Sequence, residues 1–139
     1  MGATVGKSES DEGYYTSDIF VSKVEKGQWT KAHNAGSAIN TDEDEECVGL
    51  TPSGKTILIY MSHEGDNDEL YISTMTGKKQ TLPTPTALDG PANKNSYFDL
   101  EACMTEDENT MIIASDRPGG MGGCDLYSIK RLPNGDALR

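Results

Sequence analysis

Short apolar runs recur along the chain and are separated by polar turns. The segments "TILIYMS" (56–62) and "TMIIAS" (110–115) are rich in β-branched residues and apolar on both faces, which predicts buried strands and not helices. In "DIFVSKV" (18–24) apolar residues fall on both faces, with Ile19 and Phe20 on opposite sides. The pattern therefore predicts short β-strands, and those that are apolar on both faces belong in the middle of a stack of sheets.

The strands recur in a fixed order, which indicates an internal repeat. An acidic residue followed two positions later by an aromatic residue opens a strand at Asp18, at Glu69 and at Asp125. The sequence thus divides into repeat units at about 18–68 and 69–124, with partial units at both ends.

Each repeat carries a turn and a further short strand. The turn before the apolar strand reads "LTPSGKT" (50–56) in one repeat and "MTEDENT" (104–110) in the other. A fourth strand is predicted after the acidic–aromatic strand, at 27–31 and at 77–83. Four short strands in meander order form the blade of a β-propeller. We therefore predict an all-β fold in which residues 1–139 form one propeller segment, with about two full four-stranded blades and partial flanking blades.

The segment "GLTPSGKT" (49–56) matches G-x-x-x-x-G-K-[ST], the pattern of a phosphate-binding loop. Such a loop requires a helix directly after the lysine, so that backbone N–H groups and the helix dipole point at the phosphates. The residues that follow Lys55 predict a strand, and 52–54 are turn residues. We predict a β-hairpin at this place and not a nucleotide site.

Composition narrows the class of partner. The 139 residues fit one domain, and the low hydrophobic content of 35% with 15 glycines favours short strands and frequent turns. The net charge of −11 argues against a nucleic-acid partner, which needs clustered Lys and Arg, and leaves a basic protein partner or a cation open. No run approaches the ~18 apolar residues of a membrane span, so direct membrane insertion is not expected. The beginning of the chain lacks a signal-peptide pattern and resembles a cut through a larger protein.

Cysteine and histidine give no sign of a catalytic or metal centre. The three cysteines, Cys47, Cys103 and Cys124, form no C-x-x-C motif, and we predict buried free thiols. His33 and His63 lie in predicted loops without a second ligand at metal-binding spacing. We predict no catalytic residue, no cofactor and no metal ligand.

Two polar segments could bind a cation. The acidic run 42–46 is predicted to be a solvated loop, although it could attract a cation or a basic partner. The segment "GGMGGCD" (119–125) approaches a calcium-binding repeat, but Asp125 is displaced by one residue and the motif occurs once. The favoured interpretation is a glycine-rich loop that lets neighbouring strands lie close together.

The segment "SDRPGGMGGCDLY" (115–127) resembles the hallmark of the PD40 repeat, a WD40-like repeat of TolB-type β-propellers. "TPSGKT" (51–56) resembles the turn of that repeat, with Ser53 in place of the usual Asp. Residues 27–41 resemble a connection seen in cell-envelope proteins of Bacteroidota, where these repeats often precede an OmpA-like peptidoglycan-binding domain. The resemblance covers roughly residues 14–131.

The resemblance implies a non-catalytic binding or scaffolding module in the bacterial envelope, periplasmic or associated with the outer membrane. Its partners would be another protein or the remaining propeller blades, within an outer-membrane or peptidoglycan-associated assembly. Two alternatives stay open: an accessory propeller that gates a peptidase or hydrolase domain, and a carbohydrate-binding propeller. Because a propeller needs about four to eight blades, this chain would leave two sheet faces open and should associate.

Seven residues are singled out as structural parts of the repeat. We hypothesise that Asp116, Arg117 and Asp125 clamp the glycine-rich loop by pairing or by hydrogen bonds to its backbone. Trp29 is expected to pack at a blade edge. The full set is Trp29, Asp116, Arg117, Gly119, Gly120, Asp125 and Tyr127.

Overall fold

A computed structural model describes residues 16–62, 69–76, 81–93 and 99–131. These residues form antiparallel strands joined by turns, with one turn of 3-10 helix at Gly90–Ala92. The predicted all-β class is therefore confirmed. None of the described sheets closes on itself.

The strands group into three units along the chain. Unit 1 is an irregular hairpin in which two short ladders follow one another, joined by a hydrogen bond of 2.7 Å from the Thr30 N–H to the Lys23 carbonyl oxygen. Unit 2 is a four-stranded meander, and unit 3 is a three-stranded meander. The strands of unit 1 are β1 (Phe20–Val21), β2 (Val24–Glu25), β3 (Gln28–Trp29) and β4 (His33–Asn34); those of unit 2 are β5 (Asp44–Leu50), β6 (Thr56–Ser62), β7 (Glu69–Thr74) and β8 (Thr86–Ala87); those of unit 3 are β9 (Asp99–Met104), β10 (Thr110–Ser115) and β11 (Asp125–Lys130).

The last strand of unit 2 lies further along the chain than predicted. The sequence placed it at 77–83, of which 77–80 lie outside the described residues, but β8 pairs with β7 at Thr86–Ala87. Pro83 has no N–H for a ladder, and its carbonyl oxygen accepts instead from the Ser73 hydroxyl at 2.6 Å. The other predicted fourth strand, at 27–31, contains β3.

Units 2 and 3 share one strand register, so the sequence repeat is also a structural repeat. Met61 lies opposite Glu69 in unit 2, as Ser115 lies opposite Asp125 in unit 3. The correspondence continues to the far ends of the same strand pairs, where Thr56 faces Thr74 and Thr110 faces Lys130.

The two turns that precede β6 and β10 also match. The Gly54 N–H donates to the Thr51 carbonyl oxygen, and the Glu108 N–H donates to that of Thr105, both at 2.8 Å. Gly54 and Glu108 both have positive φ, at 69° and 54°. Glycine adopts this backbone without a steric penalty, whereas glutamate does not. The predicted hairpin over 49–56 is thus confirmed, and its sister turn has the same shape despite a different sequence.

Two hydrophobic clusters hold the three units face to face. Strand β6 supplies both, because its alternate residues point to opposite sides. Fully burying one such aliphatic side chain contributes about 1.5–3 kcal/mol relative to exposure. The prediction that "TILIY" lies inside a stack of sheets is confirmed. The cluster between units 1 and 2 contains Ile19, Ile39, Ile57, Ile59 and Met61; the cluster between units 2 and 3 contains Leu58, Leu70, Ala92, Ala102, Met111, Ile113 and Ile129.

Candidate functional site

The glycine-rich loop between β10 and β11 is held by the first residue of β11. Asp125 Oδ2 accepts hydrogen bonds from the backbone N–H groups of Met121 and Gly122, both at 2.8 Å. Gly119 has φ 111°, a conformation that favours glycine. A Cβ on Gly120 would lie 2.0 Å from the same Oδ2 atom, so only glycine fits there. The Asp125 carboxylate therefore holds the loop backbone, and glycine at 119 and 120 allows the loop to approach that carboxylate.

These contacts also bear on the calcium-like pattern in this loop. Two N–H groups already point at Asp125 Oδ2, which is the arrangement expected for a carboxylate that stabilises a turn. Across the described residues, no three side chains of His, Cys, Asp or Glu are grouped so that they could hold a metal ion.

Arg117 ties unit 3 to the segment that leaves unit 2. Its Nε donates to Ser115 Oγ at 2.9 Å, and its Nη1 donates to the Pro91 carbonyl oxygen at 2.7 Å. The guanidinium lies 5.5 Å from the centre of the Tyr127 ring, within range of a cation–π contact. The Tyr127 hydroxyl in turn donates to the Arg117 carbonyl oxygen at 2.6 Å. Arg117 and Tyr127 thus join two units.

The three residues of the hypothesised clamp have different surroundings. Asp125 holds the loop backbone, Arg117 reaches the neighbouring unit, and Asp116 is exposed. Of the hypothesised clamp, Asp125 binds the backbone of the glycine-rich loop as predicted.

Removing the Asp125 carboxylate should loosen this loop. We expect Asp125→Ala to lower the free energy of unfolding by about 1 kcal/mol, since two charge-assisted hydrogen bonds are lost at a partly exposed site. Met121→Ala is the matched control, because Met121 is fully exposed and keeps its backbone N–H. Urea denaturation and hydrogen exchange at Met121 and Gly122 measure the effect. Unchanged exchange at both amides in Asp125→Ala would contradict the role assigned to Asp125.

The acidic run 42–46 is only partly the solvated loop that was predicted. Strand β5 begins at Asp44, and alternation turns Glu45 inward, where it is 2% exposed. Glu45 Oε1 accepts from the Thr41 N–H at 3.0 Å and from the Thr41 hydroxyl. Burial raises the pKa of the Glu45 carboxyl, the nearby charges of Asp18 and Asp44 act in the same direction, and the bonds from Thr41 lower it. Glu45 is therefore a core residue.

The predicted burial of the cysteines is wrong. Cys47, Cys103 and Cys124 are all free thiols with exposed side chains. Cys124 lies in the glycine-rich loop and Cys103 on the face of unit 3 that points away from unit 2, so the small size of cysteine does not by itself bring it into a core.

The histidines and the tryptophan also lie at the surface where they are described. His33 belongs to the short strand β4 and is exposed, whereas His63 lies outside the described residues. Trp29 is 74% exposed and sits across the hairpin from Val24. The packing expected for Trp29 is therefore absent within the described part of the chain.

Two asparagines that sequence reasoning missed repeat the same contact in two units. Asn93 Oδ1 accepts from the Leu70 N–H, and Asn93 Nδ2 donates to the carbonyl oxygens of Leu70 and Leu88, all at 2.8 Å. Asn40 makes the corresponding pair with the Ile19 N–H and carbonyl oxygen, at 2.9 and 3.0 Å. A signal was present in the sequence, because Asn40 ends "GSAIN" and Asn93 ends "GPAN".

Gly49, the first glycine of the phosphate-loop pattern, has a packing role. A Cβ at this position would lie 2.6 Å from the Ala102 carbonyl oxygen of unit 3, so the close approach of units 2 and 3 here requires a residue without a side chain. The other glycine, Gly54, occupies the positive-φ position of the turn. Strand β6 follows Lys55 directly, where a phosphate loop would have a helix. Both glycines are thus explained by the sheet structure.

A cavity of about 380 Å³ lies between units 1 and 2 and has a mainly apolar lining. The corresponding cavity between units 2 and 3 has a volume of about 200 Å³. It is lined by Glu108 and Arg131, which occupy the repeat positions equivalent to Gly54 and Met75. The larger cavity could accommodate an apolar side chain, but its lining brings together no set of catalytic groups.

Comparison with known proteins finds no match: no protein family, no curated protein and no solved structure matches the chain. Within the described residues, no helix has the length and apolar character needed to cross a membrane. The repeat described above is therefore established by the chain's own sequence and strand register.

Proposed function

We propose that the chain is a segment of a β-propeller and serves as a non-catalytic binding or scaffolding module of a bacterial cell-envelope protein. The observation that carries this proposal is the face-to-face stacking of consecutive antiparallel units with one repeated register. Radial repetition of four-stranded meanders is how propellers are built. The resemblance of 115–127 to the PD40 repeat supports the envelope setting.

The rim of the stack offers a surface for a protein partner. The turn that contains Glu108 lies beside the turn of the preceding unit, and a hydrogen bond from Ser53 is the main cause that lowers the pKa of the Glu108 carboxyl. Stacked repeats present such neighbouring turns as a continuous surface, on which repeat proteins bind their partners.

The charge of the chain favours a basic partner. The net charge is −11, and Glu46 and Glu101 are exposed on the first strands of units 2 and 3. Complementary charge speeds encounter and improves specificity, and its contribution decreases as salt increases.

Crosslinking in the cell tests this function. A tagged copy of the whole gene product, with a photo-crosslinking residue at position 46, should fractionate with the envelope and capture one protein reproducibly. A crosslinker at Lys31 in unit 1 is the control position. With the purified partner, Glu46→Gln combined with Glu101→Gln should weaken binding, and raising the salt concentration should weaken it further.

Two results would contradict the proposal. One is recovery of the protein in the cytosolic fraction, and the other is partner binding that neither substitution nor salt changes. A carbohydrate-binding propeller would be favoured instead if soluble peptidoglycan fragments changed the fluorescence of Trp29, the single tryptophan of the chain, without any crosslinked protein.

A further inference from the structure

One aliphatic position of the repeat is covered in two units and uncovered in the third. Ile19, Leu70 and Leu126 each follow the acidic residue that opens the acidic–aromatic strand, and the first two pack toward the next unit. Their exposed fractions are 7%, 0% and 77%. Leu126 therefore lies on a face that is built like the other two, and no unit among residues 16–131 that the structure describes covers it. Ile112 and Ala114 lie beside it, around a shallow cavity of about 140 Å³.

The next position of the same strand shows the opposite arrangement. Phe20, Tyr71 and Tyr127 are aromatic, and alternation along the strand turns each of them to the face opposite its aliphatic neighbour. Tyr71 packs against the cluster between units 1 and 2, and Tyr127 packs against the cluster between units 2 and 3. Phe20 belongs to the first described unit and is 50% exposed.

Each junction inside the chain thus combines an aliphatic residue with the aromatic residue of the following unit. Ile19 and Tyr71 share one cluster, and Leu70 and Tyr127 share the other. Within the described residues, Leu126 and Phe20 are the members of this series without a counterpart, and they belong to the last and the first of the three units.

We propose that the Leu126 face of one copy binds the Phe20 face of a second copy, head to tail, and so repeats the internal junction between molecules. This inference rests on the stacking in the proposed function and not on any envelope partner. A head-to-tail contact leaves one free end on each copy, so it forms longer assemblies or closes into a ring. Because each copy carries a net charge of −11, added salt should strengthen the association.

Sedimentation velocity with two end-blocked variants tests the proposal. The wild-type chain should form species larger than a monomer that grow with concentration and with salt. Leu126→Asp and Phe20→Asp should each weaken self-association by about tenfold or more, because each buries a charge in an apolar contact. A 1:1 mixture of the two variants should form a dimer and nothing larger, since one intact face of each kind remains.

Met121→Asp is the matched control, because this residue is fully exposed and belongs to neither end face. It should associate like the wild type, and circular dichroism should show that all three variants are folded. The proposal is overturned if the wild type is monomeric at all concentrations, if Phe20→Asp alone still associates, or if the mixture of variants gives no dimer. The crosslinker at position 46 lies on unit 2 and on neither end face, so partner capture and self-association can fail separately.

Discussion

Replacing Asn93 with alanine is expected to lower the free energy of unfolding by about 2–4 kcal/mol, because the Leu70 N–H and the Leu88 carbonyl oxygen lose their hydrogen bonds to it. The Leu70 carbonyl oxygen keeps its hydrogen bond from the Leu88 N–H. Asn93 makes three hydrogen bonds of 2.8 Å, to the Leu70 N–H and to the carbonyl oxygens of Leu70 and Leu88. Leu70 is fully buried between units 2 and 3, so water cannot easily replace the lost amide. The substitution should therefore weaken the junction between these units.

Asn93→Asp separates hydrogen bonding from side-chain size. Aspartate can still accept from the Leu70 N–H, but it cannot donate to two carbonyl oxygens, so we expect it to be destabilising as well. Urea denaturation gives the free energies, and hydrogen exchange at the Leu70 amide reports the local effect. Asn40→Ala should have the same effect on the Ile19 amide between units 1 and 2. If Asn93→Ala left the Leu70 amide as protected as in the wild type, the assigned role of Asn93 would be wrong.

The strands could be predicted because buried strands consist of runs of apolar, β-branched residues that are visible in the sequence. Strands β6 and β10 are apolar on both faces, and β6 packs on both of them. Strand β10 packs on one face only, because no described unit covers Ile112 and Ala114. The similarity between residues 50–56 and 104–110 also predicted that both repeats contain the same turn. The strands that follow these turns pair with their neighbours in the same register.

Polar contacts between distant segments could not be predicted in the same way. Asn93 lies 23 positions from Leu70, and nothing in its local sequence shows which backbone groups its amide will reach. The short "GSAIN" and "GPAN" segments were a weaker signal than the apolar strands, since a single Asn after a glycine is common in turns.

The acidic run shows how a strong compositional signal can hide a structural one. Five carboxylates in sequence indicate a solvated loop, but the strand period brings Glu45 into the interior while Asp44 and Glu46 stay outside. A register shift between Cys47 and Gly49 breaks the alternation of β5, so counting back from Leu50 does not identify Glu45 as the buried residue. The prediction for Cys103 was wrong for a different reason, because its burial depends on which face of unit 3 is covered.

Gly49, the first glycine of the apparent phosphate loop, is expected to be intolerant of a larger residue. In Gly49→Ala the new Cβ would meet the Ala102 carbonyl oxygen at 2.6 Å and Leu58 Cδ1 at 3.2 Å. A side chain can move aside, but Ala102 belongs to the backbone of β9, so units 2 and 3 would have to separate. We expect Gly49→Ala to lower the free energy of unfolding by about 1–3 kcal/mol through this overpacking.

Gly123→Ala is the matched control, since a Cβ there meets nothing within 4 Å and its backbone needs no positive φ. It should change stability by less than about 0.5 kcal/mol. Urea denaturation of both variants measures the difference, and calorimetry with ATP and magnesium tests the nucleotide hypothesis on the same proteins. Because the glycine is required by the approach of Ala102, the loss of stability should appear without any nucleotide. If Gly49→Ala were as stable as the wild type but lost ATP binding, the glycine would serve a phosphate and the packing role assigned to Gly49 would be wrong.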